Sequence, residues 1–457
     1  MKKFFSLVLV VALLLCGCAK TPAKDDAPTT EPLPQLQGTV TISGEGKEDT
    51  PLTAQTTVAD PFFQWFVDGV PVDNANGKTF YVPVNASGKT ITVSVGADGY
   101  SGSILSDGVT AVANPKNFHT MAAMMGASKI QGRVFLDNED PTAARIEWPA
   151  CGFEFNVNAV GGNMKVHYKT SYESTLAVFV DGEKRERPTL MPVPGGYFFE
   201  IALTPGKHTI KLLRELEPST YIGHKQMLTG IEFAGTVEAP PAKNDLYIEF
   251  IGDSTVTGSG SAGTFRPGQG FLVTDHSNTS SFAYQVAQDF NADYSIVAKG
   301  NCGFLSGDVA QKISMTDAYE YWWRWTGEEK YTFLRCPDVI VMKVGGNDTE
   351  SAGFSLELFK EGAKNFILRL RDIYGYTPAI VWMDRTATGG YQKQQYDAMV
   401  DLQKGLGDEK FFVTSFHYEL EGAGPATAQI GLPSAQNQRD LADQVTAYLK
   451  NTVGIGK

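Results

Sequence analysis

The sequence predicts two all-β domains followed by a parallel α/β domain, and three observations predict it. Residues 36–113 alternate apolar and polar residues in short runs such as GTVTISG, FFQWFVDG and KTITVSVGADG, punctuated by Gly, Asn and Asp. Residues 127–240 repeat that pattern with longer runs, among them GFEFNV, NMKVHYKT, STLAVFVDGE and GKHTIKLLREL. From Leu246 the period changes, and apolar strand-like runs alternate with segments of helical spacing.

Ahead of these domains lies a targeting segment. Lys2 and Lys3 precede a short apolar stretch from Phe4 to Leu15, too short for a stable bilayer span. Leu15-Cys16-Gly17-Cys18 resembles a bacterial lipobox, which implies that residues 1–18 are a signal segment and that Cys18 is lipidated. The other reading is a plain signal peptide. Residues 19–35 are rich in Pro, Thr and charge without periodicity, as in a tether. The expected location is the bacterial cell envelope, with the membrane reached through Cys18. The 457 residues carry a formal net charge of −12, so a nucleic-acid partner is disfavoured.

In the first β domain, Trp65, Val67-Asp68-Gly69 and Gly96-Ala97-Asp98-Gly99-Tyr100 resemble bacterial immunoglobulin-like modules. Such a module either binds a glycan or partner, or spaces the following domains from the membrane. Residues 114–126 read as a linker. The Pro-rich stretch VEAPPAKN closes the second β domain.

The α/β domain, residues 245–453, offers five strands: LYIEFIG, DYSIVAK, DVIVMKV, PAIVWMD and FFVTSF. Helices are expected in SSFAYQVAQDF, from Leu356 to Tyr374, from Tyr391 to Leu406 and from Ala435 to Lys450. Gly375 and Pro378 mark the end of the second. This order describes a flavodoxin-like sheet, which binds ligands at the carboxyl ends of its strands. Cys151, Cys302 and Cys336 remain beyond the leader. A Cys302–Cys336 bridge is not expected, because those residues belong to opposite ends of one sheet. No metal-ligand spacing is present, and no cofactor is implied.

Three strand ends carry groups suited to acyl transfer. Gly252-Asp253-Ser254 places a serine hydroxyl and its backbone N–H at the first. Gly300 follows the second and permits close backbone approach. Gly345-Gly346-Asn347-Asp348 follows the third, with an amide able to face an oxyanion. With these motifs the chain from 246 to 453 resembles the SGNH hydrolase (GDSL-like esterase) superfamily. Ile146-Glu147-Trp148, Val180-Asp181-Gly182 and Gly206-Lys207-His208-Thr209 extend the resemblance to carbohydrate esterase family 2. That resemblance implies a jelly roll over 127–240 and removal of O-acetyl groups from polysaccharide. Ser254 would be the nucleophile, and Gly300 and Asn347 would complete the oxyanion hole.

The family closes with Asp-x-His-Pro-Ser, whose histidine is the general base. Here the matching segment is Ile430-Gly431-Leu432-Pro433-Ser434, so Ile430 and Leu432 replace acid and base. Of the six histidines, His417 ends the last strand near Glu419 and Glu421 and is the candidate substitute base; His276, before the first long helix, is a second. The expectation is an acetyl-polysaccharide esterase using Ser254 and His417, with a catalytically lapsed glycan-binding protein as the alternative. A purely structural surface module is a third reading. The run Tyr319-Glu320-Tyr321-Trp322-Trp323-Arg324-Trp325 either stacks on sugar rings or packs on the sheet.

Overall fold

The computed structural model describes residues 33–216, 224–263, 272–307, 312–325, 327, 329–333, 335–350, 354–419 and 432–456. The leader, Cys18, Glu421 and Ile430 lie outside the described residues.

Residues 40–110 form two antiparallel sheets, one of three strands and one of five. Trp65 is the centre of their shared core, stacked on Phe80 at 5.2 Å between ring centroids. Residues 118–125 are not the linker the sequence suggested. Phe118–Thr120 pairs with Gln226–Glu232, and Met121–Met125 is a buried helical turn capped by Thr120. Its Met and Ala side chains were read as linker only because a five-residue helix shows no period.

Residues 129–237 build two further antiparallel sheets that enclose Trp148, Phe153, Phe155 and Leu212. Cys151 is buried beside them, and burial pushes its thiol up to about 12.

The last domain is one parallel sheet. Its strands are β1 (Tyr247–Gly252), β2 (Asp293–Ala298), β3 (Val339–Lys343), β4 (Ala379–Arg385) and β5 (Phe411–Phe416), in the order β2-β1-β3-β4-β5. Besides a short turn of helix at Met315–Ala318, the helices are α1 (Ser254–Thr257), α2 (Phe282–Asp289), α3 (Leu356–Tyr374), α4 (Gly390–Leu406) and α5 (Ala435–Tyr448). Side chains alternate across the strands. Ile248, Phe250 and Val341 face α2 and α5, whereas Ile251, Ile340 and Trp382 face α3 and α4. Both faces are covered, which is why these strands read as continuous apolar runs. The C-cap of α3 is Gly375, at φ 64°, with its N–H donating to Arg371 O at 2.8 Å.

The aromatic run packs between domains instead of facing solvent. Trp322, Trp323 and Trp325 are all buried. Trp148 Nε1 donates to Trp322 O at 2.6 Å and its ring meets Trp323 at 4.9 Å. The buried Arg133 guanidinium lies 4.1 Å from the Tyr331 ring centroid and 3.4 Å from Glu249 of β1. Tyr319 OH donates to the same Glu249 at 2.5 Å. Trp323 and Trp325 offer no face to sugar, because the preceding β domain covers what the sheet does not; Trp322, 3% exposed, shows only an edge at the domain junction.

Candidate active site

The sheet order sets the site. Strand β1 lies between β2 and β3, so Ser254 is flanked by the Gly300 loop on one side and the Asn347 turn on the other. Gly252 is required where β1 passes β3, since a Cβ there would sit 2.3 Å from Lys343 O. Asp253 is the N-cap of α1 and accepts from Thr255 N–H at 2.9 Å. Ser254 is therefore the first residue of a helical turn at the strand mouth, half-buried.

The two flanking loops are tied together. Asn347 Nδ2 donates to Cys302 O at 3.2 Å, two residues beyond Gly300. Asp348, wholly buried, accepts from the backbone N–H groups of Phe304, Leu305 and Ser306 at 3.0, 2.9 and 2.7 Å. Gly303 admits this approach, because a Cβ there would lie 2.2 Å from Asp348 Oδ1. Asp348 thus holds in place the segment that follows Gly300, and Asn347, in the neighbouring turn, is tied to Cys302 O. Ser254, Gly300 and Asn347 stand at three adjacent strand ends.

Sequence reasoning missed the charge cluster beneath them. Lys343, the last residue of β3, lies 3.1 Å from Asp253 Oδ2 and 3.4 Å from Asp384 Oδ1 of β4. Burial works against its ammonium, but Asp253 and Asp384 hold the pKa well above the ordinary lysine value. Tyr418, beyond β5, faces the same cluster, and burial pushes its phenol up. The available signal was a lysine closing an apolar strand, which requires buried partners. Neither Lys343 nor Asp253 can serve Ser254 as a base. Lys343 stays protonated, and Asp253 is committed to Lys343 and to the cap of α1.

Of the segment matching the family's base loop, Leu432, Pro433 and Ser434 are described. Ser434 caps α5, Ala435 N–H donates to Ser261 O at 2.9 Å, and Gln438 Nε2 donates to Thr255 O at 2.9 Å. The start of α5 is thereby clamped to α1, with Leu432 two residues ahead of the cap. Leu432 is half-buried and offers no proton acceptor.

His417 does not supply one. Strand β5 is three places from β1, about 14 Å at ordinary strand spacing. The His417 side chain is 78% exposed and its Nε2 lies 3.2 Å from Glu419 Oε1. Its backbone is held by Gln444, more than two turns along α5 from the clamped end. The expectation of His417 as base is corrected accordingly: it shares the carboxyl edge with Ser254 but occupies the far corner. His276 lies in the loop beside the C-terminal end of α1, its carbonyl accepting from Arg187 Nη1 at 2.5 Å. The other four histidines belong to residues 119–224, in the β domains.

The fold is a parallel five-stranded α/β domain joined to a two-sheet β domain. Residues 130–241 match the family model of the carbohydrate esterase 2 N-terminal domain. Cellulase/esterase CelE from Acetivibrio thermocellus is 25% identical over 329 residues, which are 70% of this chain and 39% of that protein. The chain thus spans about two fifths of that relative's length. A family two carbohydrate esterase from Clostridium thermocellum, in complex with cellohexaose, superposes with a TM-score of 0.64 at 23% identity, covering 72% of this chain and 99% of that one. An acetyl xylan esterase from the rumen bacterium Butyrivibrio proteoclasticus gives 0.63 at 20%, covering 74% and 100%. The resemblance to carbohydrate esterase family 2 read from the sequence therefore holds in family match and in fold.

Proposed function

We propose that this chain binds acetylated polysaccharide in the Ser254 crevice and has lost the proton-transfer step of its esterase relatives. What supports this reading is Leu432, a residue without a proton acceptor two positions ahead of the cap of α5, whose start is clamped to α1, together with His417 beyond a strand three places from β1. In this reading the Ser254 hydroxyl and the Asn347 amide contact the acyl carbonyl, and the Gly300 loop admits it closely. The bound cellohexaose of the Clostridium thermocellum neighbour supports a glucan-like chain as the ligand class. Lipidation at Cys18 would hold the protein at the cell envelope, with the first β domain between membrane and crevice.

Loss of a general base costs about 10²–10⁴ in rate, while binding groups are untouched. The test compares affinity and turnover on one acetylated xylan or glucan. The expected result is measurable binding that Asn347→Ala weakens, with acetate release at least about 10²-fold below ordinary esterase rates. Rapid acetate release abolished by Ser254→Ala would overturn the reading.

A further inference from the structure

The three domains meet at a cleft that the Ser254 crevice does not use. One compartment, about 290 Å³, is lined by Asn76 and Tyr81 of the first β domain, Phe135 and Asn138 of the second, and Trp322 and Glu329 of the aromatic loop. A second compartment of about 440 Å³ shares Asn76, Trp322 and Glu329 and adds Phe62, whose ring is 47% exposed. Asn76 Nδ2 donates to Thr332 Oγ1 at 2.7 Å and forms a strut between the two. Asn138 and the Glu329 carboxylate both line the first, and burial raises the Glu329 pKa.

The lining chemistry narrows the ligand. Amides and a carboxylate that accept and donate to hydroxyls alternate with the edges of aromatic rings, in a concavity at a domain junction. Two carboxylates, Glu329 and Asp137, and one cation, Lys78, line the first compartment, so neither sign of charge prevails there. Asp137 is already paired with Lys225 at 3.0 Å, which leaves little uncompensated charge to attract a cation. A neutral, hydroxyl-rich ring fits both requirements.

We infer that this junction is a second saccharide-binding site, taking one or two sugar residues of a polysaccharide chain. The inference rests on the glycan-binding reading above. The same loop also links the two places: Trp322 lines the junction, and the Trp325 ring centroid is 5.2 Å from Lys299 Nζ, next to Gly300. A chain held at both sites gains effective concentration without any new contact.

The test titrates the full chain with acetylated cellohexaose and with acetylated xylohexaose by calorimetry. Asn138→Ala and Glu329→Gln are surface changes, and their thermal melts should match wild type. Wild type should show two classes of site. Each junction variant should weaken one class at least tenfold and leave the other, whereas Asn347→Ala should do the converse. Wild-type isotherms for both junction variants would overturn the inference while leaving the crevice reading intact. Loss of all binding in the junction variants, with none in Asn347→Ala, would support the junction and sink the crevice reading. No heat with either sugar in wild type would overturn both.

Discussion

Replacing Lys343 with methionine should be among the most damaging single changes in the α/β domain. The ammonium is buried within 3.1 and 3.4 Å of Asp253 and Asp384. At an effective dielectric near 20, each contact carries about 5 kcal/mol of gross attraction. Most of that offsets the cost of taking the three charges out of water. Removing the cation alone leaves two buried carboxylates facing each other, and breaking such a set costs about 3–5 kcal/mol. Urea unfolding followed by tryptophan fluorescence should show the loss as a lowered midpoint of the transition that includes this domain. The triple variant Lys343→Met/Asp253→Asn/Asp384→Asn should recover most of it, since asparagine still caps α1 and carries no charge. A single variant within about 0.5 kcal/mol of wild type, or a triple variant no better than the single, would refute this account of the cluster.

Other expectations follow from the same geometry. His417→Ala should change stability by less than about 0.5 kcal/mol and leave acetate release at its wild-type level; a loss of activity would return His417 to the mechanism. Gly303→Ala drives a Cβ into Asp348 and should cost about 1–3 kcal/mol, with weaker oligosaccharide binding; an unchanged melt and affinity would show that the Gly300 loop is not held by Asp348. Stability should fall as pH rises above about 10. Burial pushes Tyr331 up to about 12 and raises Tyr247, Tyr319 and Tyr374 well above the ordinary value. Those phenols, and Lys343, lose protons first in the unfolded chain, so their contribution is present below the unfolded pKa values and lost above them. A flat urea midpoint between about pH 9 and 11 would contradict this sign.

Much of the α/β domain was legible because its strands are buried on both faces and its helices on one. Tyr247–Gly252 and Leu356–Tyr374 fall within a residue of where their apolar spacing puts them. Ser254 and Asn347 were legible because each closes a strand within a short Gly-rich turn. The aromatic run resisted the same approach. Whether Trp323 meets water or Trp148 depends on a residue 175 positions away, and no local period encodes that. His417 misled for a related reason. Ending a strand fixes the edge of the sheet but not the corner, which follows from strand order. Lys343 was hidden by its apolar neighbours, because its partners Asp253 and Asp384 lie at the ends of two other strands.

The central claim is that Leu432 is what separates this crevice from a working esterase. It is tested most directly by acetate release from an acetylated xylan with wild type, Leu432→His and Ile430→Asp/Leu432→His. The account predicts a rise of about 10²-fold or more in the histidine variants, abolished by adding Ser254→Ala. Wild-type turnover that already equals an ordinary esterase and is unmoved by Leu432→His would contradict it.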